Sequence, residues 1–354
     1  MGSASLGLQA AGIEVAAALD TDEHASTNYE MNVGIPPIVD DIRKVSGKSL
    51  LQHIGLSKGD CEIVVGCPPC QSFSSLKRTR CSTVHDARST LVCAFADRIR
   101  ELLPQAVIFE NVPGILHPSF QRRFYWFVSR LESYGYAVEW RCLNCADYGI
   151  PQLRKRVIAV GIRSERNQVH LGELLPEPTH TNPVLASRSG LLPWRTVRET
   201  IEDLPPLLPG ENDPAIPNHD SPPYRPSTMR IIKAIPKNGG SRRSLPSRLW
   251  LRCHKNLETG GRHGAASVYG RMWWDRPAPT ITTRCTNPSS GRFIHPEEDR
   301  AITLREAMRL QTIPDKCHLR GPRSLLAAEV GNAVPTSLIE MLGTHLSSLL
   351  DNGV

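Results

Sequence analysis

The chain has 354 residues, enough for about two domains, and its 40% hydrophobic and 22% charged composition is that of an ordinary globular protein. No run approaches the roughly 18 consecutive apolar residues of a membrane span, and the opening MGSASLGLQAAGIEVAAALD has no basic start and contains Asp20. No membrane helix is expected, the N-terminus reads as a core element rather than a signal peptide, the ten cysteines read as reduced thiols, and a cytoplasmic location is expected. The formal charge is +7, yet residues 221–292 hold fourteen Lys/Arg against Glu258 and Asp275, a local +12. That concentration is either a footprint for a polyanion, most often nucleic acid, or a solvated basic face.

From residue 13 to about 163, apolar runs alternate with helical patterns. GIEVAAALD precedes HASTNYEMN, CEIVVG precedes ARSTLVCAFADRIRELL, and AVIFENV precedes FQRRFYWFVSRLESYG; YAVEWRCLNCADYG and RKRVIAVGIR follow. This punctuation predicts an α/β fold with a mostly parallel sheet covered by helices. Leu91, Phe95, Ile99 and Leu102 recur at three and four residues, as one buried helix face requires. From about 176 to 300 the chain is rich in Pro, Gly and Asn, which predicts a second, loop-rich domain. Regular patterning returns in ITLREAMRLQ and in LAAEVGNAVPTSLIEMLGTHLSSLL, the latter predicted as a strong terminal helix.

Parallel sheets bind ligands beyond the carboxyl ends of their strands, so functional residues are expected just after the apolar runs. Asp20 ends the first run, and Asp40 and Asp41 precede Ile42; these acids either receive a ribose diol and an adenine amine or cap the helices that follow. EIVVG runs into CPPCQSFSS, where two prolines stiffen the approach to Cys70. A nucleophilic cysteine there needs a cation or a helix terminus to raise its thiolate fraction. AVIFENV ends in Glu110 and Asn111, either a capped strand end or an acid with a raised pKa. In PQLRKRVIAVG, Gln152, Arg154 and Arg156 alternate, so both guanidinium groups face one side if the segment is extended. Cys67/Cys70 and Cys142/Cys145 form two CxxC pairs, but their wide separation is far from a zinc ribbon, and no metal is expected.

Taken in order, these segments resemble the DNA (cytosine-5) methyltransferase family of the bacterial restriction-modification type. GCPPCQSFS is similar to its Pro-Cys-Gln motif, DARSTL to the element after the catalytic loop, FENVPGI to Glu-Asn-Val, and DYGIPQLRKRV to Gln-x-Arg-x-Arg. RAITLREAMRLQTIPD and EVGNAVP resemble the ninth and tenth motifs. The resemblance implies a Rossmann-like S-adenosylmethionine-dependent methyltransferase fold, with a catalytic and cofactor-binding domain at 1–185 plus 318–354. It places a target-recognition domain and hinge at 186–317. By resemblance, Cys70 adds to cytosine carbon 6, Glu110 engages ring nitrogen 3, Arg154 and Arg156 orient the base, and Gln71 and Asn111 brace the loop and strand end. Gly2, Ser3, Asp20, Asp41, Ile42, Leu91 and Asn332 become cofactor contacts.

Lys77, Arg78 and Arg80, in the polar stretch 72–84, and Arg271, Arg284 and Arg292, in the basic segment, become contacts to duplex DNA. Trp273 and Trp274 are either core or stacking residues. One active site per chain needs no symmetry partner, so a monomer is expected, with a cognate endonuclease acting on the same site as a partner. The family begins with a strand and a glycine-rich turn, whereas this sequence starts inside that element, with Gly2 and Ser3 at the last glycine positions. The expectation is either an upstream start or a truncated, weak or inactive DNA-binding homologue.

Overall fold

The computed structural model describes residues 1–68, 90–163, 172–250 and 267–351. The chain packs as two compact units. One comprises Gly2–Asn144, Lys155–Pro178 and Thr336–Val354; the other comprises Cys145–Arg154 and Thr179–Pro335, with Met1.

The first unit is the α/β body. In chain order it runs α1 (Ser3–Ala10), β1 (Leu19–Asp20), α2 (Glu23–Val33), β2 (Ile38–Val39), α3 (Gly47–Ile54) and β3 (Ile63–Gly66). It continues through α4 (Thr90–Leu102), β4 (Ala106–Asn111), α5 (Gln121–Ser133) and β5 (Tyr136–Asn144). Past the short β6 (Gln152–Leu153), which belongs to the other unit, β7 (Lys155–Arg163) returns to it. Its four-stranded sheet has the order β3-β4-β7-β5. β3 and β4 run parallel, joined by a helical crossover, whereas β7 is antiparallel to both β4 and β5. The α/β class stands, but the sheet is mixed where the sequence pattern predicts mostly parallel strands. Residues 145–154 between β5 and β7 are too few for the dozen or more residues a parallel crossover takes, so β7 returns antiparallel. Of the first apolar run only Leu19 and Asp20 pair, parallel to Ile38 and Val39.

The core lies where α4 and α5 cover β4 and β7. Phe95 and Ile99 of α4, Phe124, Phe127 and Leu131 of α5, and Val107 and Phe109 of β4 form one cluster. Phe109 and Phe127 rings sit 4.5 Å apart. Burying each such side chain contributes on the order of 2 kcal/mol, which is why the spacing of Phe95, Ile99 and Leu102 locates the helix face correctly. Gly66 ends β3 beneath this cluster; a Cβ there would lie 2.2 Å from the Phe95 ring.

The predicted terminal helix is two helices. Its first half, α10 (Arg323–Asn332), and its second half, α11 (Thr336–Asp351), belong to different units. Pro335 has no N–H to continue the ladder and disfavours helical backbone at Val334, so the pattern breaks there. α11 packs on α1, where Gly7 allows an approach that a Cβ would obstruct, at 2.6 Å from the Thr336 carbonyl oxygen.

The second unit is loop-rich, as its Pro and Gly content predicts. β6 pairs with β10 (Ala278–Pro279) and β8 (His180–Thr181) with β9 (Leu192–Pro193), and the helices α6 (Pro183–Ser189), α7 (Arg198–Ile201), α8 (Pro226–Ala234), α9 (Leu304–Leu310) and α10 are short. Backbone carbonyls left without ladder partners still need donors. Buried arginines supply them: Arg154, Arg271, Arg300 and Arg305 are all fully buried. Among the described residues no helix is long and apolar enough to cross a membrane.

Candidate active site

Glu110 and Asn111 are the last residues of β4, and both are buried. The antiparallel register sets Glu110 opposite Ile158 and Asn111 opposite Val157, which brings Arg156 alongside the strand end. Arg156 Nε lies 2.6 Å from Glu110 Oε1, with each side chain only 10% exposed. The planar guanidinium fork fixes the position of the carboxyl group it pairs with. Asn111 Oδ1 accepts from the Val112 N–H at 2.9 Å, and its Nδ2 donates to the Pro68 carbonyl at 3.2 Å. The strand end is thus tied to the segment leading to Cys70. Cys70 and Gln71, with Lys77, Arg78 and Arg80, lie outside the described residues.

Arg154 does not share a face with Arg156. Extended pairing is interrupted between β6 and β7, and Arg154 falls at the break, in the second unit. It is 1% exposed, with Nη1 donating to the Ile281 carbonyl at 2.9 Å and Nη2 to the carbonyls of Ala333 at 2.8 Å and Gly331 at 3.3 Å. Its guanidinium therefore binds main chain, and the alternation that suggested two same-side arginines is corrected.

Around it is a polar hub that motif spacing does not single out. Gln152 Nε2 donates to the Leu310 carbonyl at 3.0 Å and to Gln311 Oε1 at 2.9 Å, while its Oε1 accepts from the Ile281 N–H at 3.0 Å. Gln311 Nε2 donates to the Val330 carbonyl at 2.7 Å. Gly331 packs against bare backbone, where a Cβ would lie 2.2 Å from atoms of Thr282 and Thr283. Segments near residues 152, 281, 311 and 331 are locked together by side chains whose partners are distant in sequence. The one available signal was the matching amide residues at the edges of apolar stretches, which is too common to be specific.

At the carboxyl end of the β1–β2 pair, the Asp40 N–H donates to the Asp20 carbonyl at 3.0 Å, so Asp20 and the 40–41 acids are neighbours. The helix-cap alternative for these acids does not hold: α2 is capped by Asp22 and α3 by Ser46. Asp20 is exposed and accepts from the Asp22 N–H at 3.1 Å. Asp41 accepts from Arg43 Nε and N–H, both at 2.9 Å, and Arg43 holds its carboxyl at about 2. Carboxyl oxygens at these two positions match in donor–acceptor type a ribose diol and an exocyclic amine.

Gly2 caps α1 in the left-handed region, φ 79°, where a Cβ would lie 2.3 Å from Val33 Cγ2, and Ser3 is buried. Ile42 packs on the main core, Leu91 is half-buried at the start of α4, and Asn332 is exposed at the end of α10.

The three expected DNA contacts in the basic segment differ. Arg284 is exposed. Arg271 is fully buried, donates to the Ile232, Ile235 and His295 carbonyls at 3.0–3.1 Å and pairs with Asp299. Its place is internal, and the expectation that it contacts DNA is corrected: a guanidinium enclosed by carbonyls presents no surface to phosphate. Arg292 is half-buried against Trp273, with its guanidinium carbon 4.0 Å from the ring centroid. Trp273 and Trp274 are partly exposed, and Trp274 carries Arg198 at 5.2 Å. His295, Glu298 and Glu306 bring ligand-type atoms within 4.8 Å of one another. Arg300 already lies on both carboxylates, at 2.9 Å from Glu298 Oε2 and 2.7 Å from Glu306 Oε1, so a protein cation occupies the place of a metal.

Comparison with known proteins accounts for the order of these segments. The family model of C-5 cytosine-specific DNA methylases matches residues 1–348. The Type II methylase M.HgiDII of Herpetosiphon aurantiacus is 34% identical over 357 residues, covering 99% of this chain and 94% of that protein. The Type II methyltransferase M1.HphI of Haemophilus parahaemolyticus is 29% identical, covering 99% and 85%. Among solved structures, S. pombe Dnmt2 methyltransferase superposes with a TM-score of 0.61 at 15% identity, covering 99% of this chain and 96% of that one. A prophage-encoded Escherichia coli chain assigned as a DNA modification methyltransferase reaches 0.68 at 20%, covering 99% and 97%. These likenesses bear out the Rossmann-like methyltransferase fold. The chain belongs to the C-5 cytosine-specific DNA methylase family, and its enzyme class is DNA (cytosine-5) methyltransferase.

Proposed function

We propose that this protein transfers a methyl group from S-adenosylmethionine to carbon 5 of a cytosine flipped out of a specific duplex DNA sequence, through a covalent Cys70 adduct. The observation that carries the reading is the Glu110–Arg156 pair at the end of β4, 2.6 Å apart and nearly closed to solvent. Carbon 5 of cytosine is a poor nucleophile within an aromatic ring, and reaching it requires the base to leave the stack at a cost of a few kcal/mol. In the proposed sequence the Cys70 thiolate adds to carbon 6 and opens the carbon 5–carbon 6 double bond, while a proton shared between Glu110 and ring nitrogen 3 takes up the developing charge, which makes carbon 5 enamine-like. S-adenosylmethionine, when bound, supplies the electrophilic methyl group. Loss of the carbon 5 proton then returns the electron pair that breaks the carbon 6–sulfur bond and releases Cys70.

Arg156 fixes the Glu110 carboxylate, Asn111 steadies the strand end against Pro68, and Gln71 braces the Cys70 loop. Arg154 acts one step removed, as a positioning residue of the hub. Asp20 and Asp41 would hold the adenosine by its hydroxyl and amine donors, with Gly2, Ser3, Ile42 and Leu91 lining the same cofactor. Residues 1–185 plus 318–354 would form the catalytic domain and 186–317 the recognition domain. Lys77, Arg78, Arg80, Arg284 and Arg292 are the proposed contacts to DNA. The Type II names of the relatives support a place in a restriction-modification system, with a cytoplasmic monomer acting beside an endonuclease of the same specificity.

The test is transfer of label from S-adenosylmethionine to cytosine carbon 5 in mixed-sequence duplex DNA by the full chain, with Cys70→Ser as control. Transfer that disappears in the control is expected. Absence of transfer beside retained, salt-sensitive DNA binding would overturn the reading in favour of a DNA-binding homologue without activity.

A further inference from the structure

Trp273 carries two guanidinium groups. The Arg276 guanidinium carbon lies 4.7 Å from its ring centroid and that of Arg292 lies 4.0 Å away. Like charges brought to one side chain repel, and a neighbouring carboxylate would offset that repulsion. Here none does: among the described residues neither arginine forms an ion pair, and Asp275, adjacent in sequence, is taken by Arg198 Nε at 2.9 Å. Arg292 Nη1 is anchored on the Gly239, Gly240 and Arg271 carbonyls at 2.6–3.1 Å. Arg276 is exposed and donates no side-chain hydrogen bond among the described residues. Burial, and after it the neighbouring Arg276 charge, push the Arg292 pKa down.

The indole is held in place by close backbone. Gly239 sits at φ +100°, and a Cβ there would lie 1.8 Å from Trp273 Nε1. The indole offers each guanidinium group a partial negative potential while leaving donors for a planar or tetrahedral oxyanion.

We infer that Arg276 and Arg292, stacked on Trp273, form a clamp for one phosphate of the duplex DNA backbone. The inference rests on the reading of residues 186–317 as the DNA-contacting part of the chain and adds to it Arg276, a residue that the family motifs do not single out. Its chemistry is positional: a phosphate supplies the missing anion and fixes register, with no base read.

The experiment measures affinity of the full chain for duplex DNA from 50 to 200 mM salt, comparing wild type with Arg276→Ala, Arg276→Lys and Arg292→Lys. Circular dichroism on each variant confirms folding. Loss of one phosphate contact lowers the slope of log affinity against log salt by about 0.9, so Arg276→Ala should lose about 3.5-fold less affinity than wild type across this fourfold salt range. Arg276→Lys should restore the slope but not the full affinity, because an ammonium keeps the charge without the stacked fork. An unchanged slope in folded Arg276→Ala, with wild type binding normally, overturns the clamp alone. No salt-dependent binding by wild type itself would overturn the DNA-contacting reading and the clamp with it.

Discussion

Glu110 and Arg156 are where single-residue chemistry is most exposed to test. Glu110→Gln keeps shape and removes the acid–base group, and it is expected to slow methyl transfer by at least about 100-fold, in the range of a lost acid–base partner. Single-turnover measurements with saturating DNA would separate that loss from weaker binding. Arg156→Ala should cost about 3 kcal/mol of stability in urea unfolding as well as activity, because it strands a carboxylate that is only 10% exposed. Gly331→Ala acts differently. Its Cβ would meet the Thr282–Thr283 peptide at 2.2 Å, so a loss of roughly 1–3 kcal/mol or more is expected with Cys70 and Glu110 untouched. The Glu110 and Arg156 positions are legible in sequence because one closes an apolar run and the other opens one. The separate fate of Arg154 is not legible, since alternation holds only while the strand is continuous.

At the scale of one element, α9 is set by a capping box. Thr303 Oγ1 accepts from the Glu306 N–H at 3.1 Å, Glu306 accepts from the Thr303 N–H at 2.6 Å, and Arg300 holds the same carboxylate by both Nη groups. Burial raises the Glu306 pKa, but Arg300 and these donors pull it further down, to about 2 from an ordinary 4.5. The unfolded chain therefore takes up this proton at a higher pH than the folded one. The stability from Glu306 is complete above about 4.5 and is lost as pH falls through about 2. Urea unfolding between pH 6 and pH 3 should show stability falling, with a shallower slope in Glu306→Gln; equal slopes would contradict the assignment. The ITLREAMRLQ pattern marks this helix in sequence, whereas its arginine partner depends on the fold of the preceding loop.

For the whole molecule the charge asymmetry matters most, and the structure reduces it. Of the fourteen basic residues in 221–292, Arg242 and Arg271 are buried, and Arg271 and Lys237 share Asp299. DNA affinity should fall steeply with salt, but less steeply than the slope of about −11 that twelve released counterions would give. A titration of binding against salt decides this, and a flat response would remove the segment from DNA contact.

The amino-acid sequence by itself determined the order of motifs, and with it the family, and the type of the longer elements. Both are carried by residues close together in the chain: helix periodicity puts Phe95 and Ile99 on one face, and Pro and Gly density marks the loop-rich stretch. Tertiary structure alone decided that β7 runs antiparallel, that the terminal pattern divides at Pro335, that Asp22 and not Asp20 caps α2, and that Arg154 and Arg271 are internal. Those outcomes depend on which carbonyls and carboxylates remain unpaired after distant segments meet. A guanidinium binds main chain or stays exposed according to that residue of unmet hydrogen bonds, which no local pattern encodes.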